Sequence, residues 1–246
     1  MSGRLKDLGE FGMIARLTGA RAWPIPPDLV LGVGDDCAVL RETDHSATLI
    51  SKDLLIEGVH FRRDWSSPES IGHKALAVNL SDIAAMGGTA RAVFLGLALP
   101  KDLSTTWLDG FIEGFHALAV EHGVALLGGD TTASPAGLTV SVTVLGRAPL
   151  DMIRYRSAAR PGDRVLVTGT LGSAAGALAE LRAGRQPPVA VRERLERPAA
   201  RLNEGRVIAA SGRGAMIDLS DGLLGDLGHI CAASGVGVRI FLDRLP

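Results

Sequence analysis

The sequence predicts an α/β protein of two domains, and three observations predict it. Apolar runs of strand length alternate with longer runs at helical spacing. Two of the longer runs carry capping residues at both ends. A polar, basic stretch around residues 147–162 interrupts the alternation, which then begins again. The expected domains are therefore 1–148 and 149–246.

The elements follow in chain order. "EFGMIARL" reads as a short amphipathic helix, and "AWPIPPDLVLGVGDD" as a proline-stiffened approach to a glycine turn. "ATLISKDLLIEGVHF" is a strand running into a loop. "SSPESIGHKALAVNLSDIAAMGG" is a long helix with Ser67 as N-cap, Pro68 at its first position and Gly87 as its stop. "RAVFLGLALP" reads as a buried strand. "STTWLDGFIEGFHALAVEHG" is a second capped helix whose Trp107, Phe111, Phe115 and Leu118 recur at helical spacing and belong to the core. "VALLGGDTT" and the alternating "LTVSVTVLG" are strands. In the second half, "RVLVTG" is an expected strand, "GTLGSAAGALAELRAG" a helix, and residues 185–212 a proline-marked helical connection. "AMIDLSDGLLGDLGHICAASG" and a last strand, "GVRIFLD", complete it.

Composition narrows the function. With 246 residues, 46% of them hydrophobic, the chain can bury a real core, and a net charge of -1 argues against nucleic-acid or anionic-membrane partners. Two cysteines without metal-ligand spacing read as reduced. No apolar run approaches the ~20 residues that span a bilayer, and "MSGRLKDLGEFGMIARL" lacks a signal-peptide core. A cytoplasmic protein acting on small ligands is expected.

The chemistry is carried by aspartates. Asp82, in "AVNLSDIAAMGG", falls on an apolar helix with no Lys or Arg within a turn, although burying a lone carboxylate costs several kcal/mol. Asp36 in "GVGDD", Asp53 in "ISKD", Asp130 in "LGGD", and Asp218 and Asp221 in "IDLSDG" share that apolar company. If they converge, repulsion raises their pKa values unless cations intervene, and oxygen-only ligands suit Mg²⁺. Taken singly, "GDD" and "GGD" are also ordinary turn formers, and Ser220 or Asp221 is placed to cap the following helix. His60 is by default a loop histidine, and Arg154 and Arg156 are by default solvated, although a linker arginine facing acids can grip phosphate. No P-loop is present, and the glycines of "TGTLGSAAG" have the wrong spacing for a dinucleotide fingerprint.

Together "GEFGMIARL", "GVGDDCAVL", "EGVHF", "HKALAVNLSDIAAMG", "LLGGDTT", "RSAARPGDRVLVTGTLGSAAG" and "IDLSDGLLGDLGHICAASGVG" resemble the thiamine-monophosphate kinase family of the aminoimidazole-ribonucleotide synthetase superfamily. The resemblance implies an N-terminal mixed-sheet domain that joins its twin in a homodimer, and a C-terminal α/β domain closing over the nucleotide. It implies ATP-dependent phosphorylation of thiamine monophosphate. It further implies that Asp36, Ser51, Asp53, Asp82, Asp130, Asp218 and Asp221 hold several Mg²⁺ ions, that Gly129, Asp130, Arg156 and Ser220 meet ATP, and that His60 touches the thiamine substrate. No catalytic side chain is implied, because the acceptor phosphate is already ionised.

Two departures from the family pattern stand out. Ser51-Lys52-Asp53 occupies a site where many members resemble S-T-D, so Lys52 is expected to act as a fixed cation beside the phosphates. The chain ends at Pro246, before a "GG-acidic-D-Y-E" type motif, so the C-terminal domain is expected to be incomplete and the acceptor pocket reduced. The alternatives are another ATP-dependent synthetase of the superfamily and a noncatalytic nucleotide-binding remnant.

Overall fold

The computed structural model describes residues 9–19 and 22–246. The N-terminal residues bearing on a signal peptide, 1–8, lie outside that range. The element order is α1 (Gly9–Gly19), β1 (Leu29–Leu31), β2 (Ala38–Arg41), β3 (Ser46–Ile56), α2 (Pro68–Ala85), β4 (Thr89–Pro100), α3 (Thr105–His122), β5 (Ala125–Ser134) and β6 (Thr139–Pro149). The helices α4 (Ser173–Arg182), α5 (Val189–Glu196), α6 (Leu202–Ala209) and α7 (Leu223–Ser234) follow. The fold is mixed α/β, as expected. Its strands form one six-stranded sheet in the order β1-β2-β3-β6-β4-β5, antiparallel except for the parallel pair β4 and β5.

Both long helices end where their capping residues stand. The Ser67 hydroxyl accepts from the Ser70 N–H at 3.2 Å, Pro68 opens α2, and Gly87 leaves it with a φ of 71°. Only glycine takes that left-handed backbone without cost. Ser104 caps α3 by accepting from the Trp107 N–H, and Gly123 ends it.

The helices α2 and α3 pack together over one face of the sheet. Alternation along β6 sends Val140, Val142 and Val144 into that core, and Leu49 and Leu55 enter it from β3. Phe111, Phe115 and Leu118 are buried as expected, while Trp107 is half-buried and stacks on Phe111 with ring centroids 6.0 Å apart. The opposite face is open. Phe94 is 43% exposed there, so the strand expected to be buried is buried on one side only.

Two glycines set the approach of α2 to α3. A Cβ at Gly72 would stand 2.0 Å from the Phe111 carbonyl oxygen, and one at Gly114 would stand 1.9 Å from that of Glu69. Backbone lies on both sides, so neither helix can yield locally. Gly114→Ala is expected to destabilise the chain by ~2 kcal/mol or more, because overpacking outweighs the ~1 kcal/mol that Ala gains in a helix. Chemical denaturation checks this: a Gly114→Ala protein as stable as the parent would show that the helices do not approach so closely.

Two expectations fail. Neither "RVLVTG" nor "GVRIFLD" forms a strand, and the helices of the second half pair with no sheet of their own among the described residues. An apolar run becomes a strand only where a neighbour completes its backbone ladder. Leu166, 79% exposed, marks the unmatched run. The short hairpin of β1 and β2, by contrast, is not foreseeable from the sequence, because three- and four-residue strands carry too little periodicity.

Candidate metal centre

Three elements deliver one carboxylate each to the same point. Asp36 ends the glycine turn after β1, Asp82 projects from the last turns of α2, and Asp218 precedes α7. Each offers an oxygen within 4.8 Å of the other two, forming a group able to hold a cation. Asp36 is buried, and its Oδ2 has no hydrogen-bond partner among the described residues. An orphaned buried acceptor facing two more carboxylates is what a metal ion would satisfy.

Neighbouring side chains orient the three acids. Ser51, facing α2 from β3, donates its hydroxyl to Asp82 Oδ2 at 2.5 Å. Ser81 donates to Asp218 Oδ2 at 2.9 Å. Arg156 hydrogen-bonds Asp36 through Nη2, its backbone N–H donates to Asp35 Oδ2 at 3.0 Å, and its Nε lies 3.6 Å from Asp35 Oδ1. That last distance is an ion-pair contact, too long for a hydrogen bond. Ser234 of α7 donates to the Arg156 carbonyl at 2.7 Å, which fixes the segment carrying the guanidinium.

The electrostatics follow from burial. Desolvation raises Asp82 to about 8, helped by the charge of Asp53, and the Ser51 hydroxyl only partly opposes it. Desolvation likewise raises Asp36 to about 7, despite Arg156. Asp218 is pushed up by burial and then by Asp226, while Asp53 is pushed up by burial and drawn back by His60. Without a cation, burial therefore shifts each of these groups toward its protonated form.

The other expected residues divide into two locations. Asp53 stays on the inner face of β3, and its N–H donates to the buried Asn79 side chain of α2 at 3.2 Å. His60 is exposed on the following loop, where its Nδ1 accepts from the Ile56 N–H at 2.9 Å. Gly129, Asp130 and Lys52 stand apart from the trio, on the open sheet face, where all three line one recess. Lys52 is therefore not beside Asp82. In a strand with period 2, the residue between two inward side chains points outward.

Ser220 and Asp221 precede α7, but neither side chain caps it. Asp226, one turn inside the helix, accepts from the N–H groups of Ser220, Asp221 and Gly222 at 3.0, 3.2 and 3.0 Å. Asp226 and Asp35 are carboxylates that the sequence alone does not single out. For Asp226 the available signal is an acid in the first turn of a helix that begins after glycine. Arg154, the other linker arginine, is buried, and it donates to the Ala209 carbonyl from Nε at 3.1 Å and from Nη2 at 2.5 Å.

Comparison with known proteins meets this geometry. Residues 34–148 match the family model described as AIR synthase related protein, N-terminal domain, and residues 160–246 match its C-terminal domain. Thiamine-monophosphate kinase of Escherichia coli strain K12 is 41% identical over 243 residues, covering 97% of this chain and 73% of that protein. The chain belongs to the thiamine-monophosphate kinase family. The Bacillus subtilis member is 37% identical over 245 residues, with 97% of this chain and 75% of that protein covered. The structure of AaThiL complexed with AMPPCP and TMP superposes with a TM-score of 0.87 at 32% identity, spanning all of this chain and 77% of that one. Hydrogenase maturation protein HypE, 24% identical with a TM-score of 0.65, shares the fold. No described helix is long and apolar enough to cross a membrane.

Proposed function

We propose that the chain transfers the terminal phosphate of ATP to thiamine monophosphate, giving thiamine diphosphate and ADP. The observation that carries this is the convergence of Asp36, Asp82 and Asp218 in a member of this kinase family. A solved relative that binds AMPPCP and TMP supports the choice of substrates.

Asp36, Ser51, Asp53, Asp82, Asp218 and Asp221 would hold Mg²⁺, with the trio of Asp36, Asp82 and Asp218 at its centre. When bound there, Mg²⁺ would supply the positive charge that lets two polyanions be brought together. Ser51 and Ser81 keep the carboxylates oriented. Arg156, Ser220 and Gly129 are the proposed nucleotide contacts, Asp130 serves both nucleotide and metal, and His60 meets the thiamine substrate. An acceptor phosphate ionised at neutral pH needs no general base, so positioning dominates the catalysis.

The same reading divides the chain at 148/149, a division supported by the two family-model matches that flank it. It also pairs two chains through the N-terminal sheet. Leu54, Ile56, Phe94 and Leu126 supply exposed apolar surface for that pairing.

The test is direct. Thiamine monophosphate, ATP and Mg²⁺ are incubated with the chain, and thiamine diphosphate and ADP are expected to form one for one. ADP without thiamine diphosphate would overturn the assignment of the acceptor.

A further inference from the structure

Past the end of β3 the chain keeps the parity of its pleat for one more inward residue. Ser51, Asp53 and Leu55 face the side of the sheet that α2 covers, and Glu57 is the next position of that series. The backbone then turns through a tight loop in which the Gly58 N–H donates to the Phe61 carbonyl at 2.8 Å. Buried Phe61 anchors its far side. His60, the proposed contact of the thiamine substrate, stands on this loop.

Glu57 braces the loop at its base. Its N–H donates to the Leu138 carbonyl at 2.9 Å and its Oε2 accepts from the Leu138 N–H at 2.9 Å, so it satisfies both backbone groups of a buried residue at the entry to β6. Its Oε1 accepts from Arg63 Nε at 2.7 Å, which ties down the chain where it leaves the loop. The neighbouring backbone leaves little slack, since a Cβ at Gly137 would stand 3.0 Å from both the Cβ and the Oε2 of Glu57.

The braced loop orients one imidazole. The Ile56 N–H donates to His60 Nδ1 at 2.9 Å, and the His60 N–H donates to the Ile56 carbonyl at 2.9 Å. A ring nitrogen that accepts carries no proton, so this geometry assigns the ring proton to Nε2. His60 is exposed, and what it presents is therefore a hydrogen-bond donor.

We propose that Glu57 is a positioning residue for the acceptor substrate: through its ties to Arg63 and Leu138 it holds the loop that aims His60 Nε2–H at thiamine monophosphate. This rests on the reading that His60 meets that substrate, and it adds a residue that acts through His60 without touching the ligand. It implies an effect confined to one of the two substrates.

The experiment titrates thiamine monophosphate into the full chain by calorimetry, with Mg²⁺ and the non-hydrolysable analogue AMPPCP present, and titrates AMPPCP separately. The proteins are the parent, Glu57→Ala, Glu57→Gln, His60→Ala and the double variant Glu57→Ala with His60→Ala. Glu57→Ala is expected to weaken thiamine monophosphate binding about tenfold, the scale of one lost hydrogen bond, and to leave AMPPCP binding unchanged. Glu57→Gln keeps a side-chain oxygen for the Leu138 N–H, so it should lose less, and it takes the place of Glu57→Ala if that variant does not fold. In the His60→Ala background, loss of Glu57 should cost nothing further, because residues that act as a unit are not additive. Equal losses in the two backgrounds overturn the proposal, as does a matching loss of AMPPCP affinity, which would mean a general loosening of the chain. Weaker thiamine monophosphate binding by His60→Ala but by neither Glu57 variant keeps the reading of His60 and removes this one. His60→Ala that binds thiamine monophosphate as the parent does, or a parent that binds none, removes both.

Discussion

Asp82→Asn is expected to lower thiamine diphosphate formation roughly a thousandfold, the scale for removing one fixed electrostatic group from a charge-stabilising site, while the chain stays folded. Asn keeps the shape of Asp82 and can still accept from the Ser51 hydroxyl, so α2 and β3 remain joined. What it loses is the negative charge facing Asp36 and Asp218. In the absence of Mg²⁺ the variant should therefore be more stable than the parent at pH 8, since a buried group that resists ionisation has been replaced by a neutral one. Addition of Mg²⁺ should then raise its melting temperature far less than that of the parent. Asp64→Asn, an exposed carboxylate paired with Arg62 outside the proposed site, should leave that Mg²⁺ response in place. If Asp82→Asn kept the full response, Asp82 would not be a ligand.

Asp82 can be singled out in the sequence because a carboxylate without a cationic neighbour on an apolar helix poses a physical problem at one position. Ser67 and Gly87 are legible for a similar reason: caps act within a few residues of where they are written. The meeting of Asp36, Asp82 and Asp218 is a different kind of fact. They lie on three elements separated by long stretches of chain, and only the family resemblance groups them. That grouping also places Asp130 and Lys52 with them, whereas the pleat of β3 turns Lys52 to the opposite face from Ser51 and Asp53. The alternation that decides this is present in "LISKDLLI", but it becomes informative only once the side of the strand covered by α2 is known. Asp226 is hidden in the sequence because the residues before a helix are the usual caps, and here an acid reaching back from inside the helix serves the same N–H groups.

The acid trio also makes the stability of the chain fall as pH rises in the absence of metal, a fall that Mg²⁺ should largely cancel. Asp36 and Asp82 titrate at about 7 and about 8 in the folded chain, against 3.8 for an unperturbed aspartate, and Asp218 and Asp53 are displaced in the same direction. Between pH 4 and 8 the folded state thus binds more protons than the unfolded state, so unfolding free energy falls as pH rises through that window. A tenfold difference in the proton affinity of one group is worth ~1.4 kcal/mol, so from pH 5.5 to 8 the combined loss from Asp36 and Asp82 is expected at ~5 kcal/mol. Mg²⁺ held by the ionised trio and not by the unfolded chain would add little at pH 5.5 and progressively more as the protons leave. Thermal unfolding at pH 5.5 and 8 with EDTA should show the lower melting temperature at pH 8, and several millimolar Mg²⁺ should recover most of the difference. Ca²⁺ in place of Mg²⁺ separates charge from geometry, because both ions neutralise the carboxylates but Mg²⁺ demands near-octahedral oxygens at shorter range. A stability that instead rose from pH 5.5 to 8 in EDTA would mean that Arg156 outweighs desolvation at Asp36, and that the trio is held together by that ion pair and needs no metal.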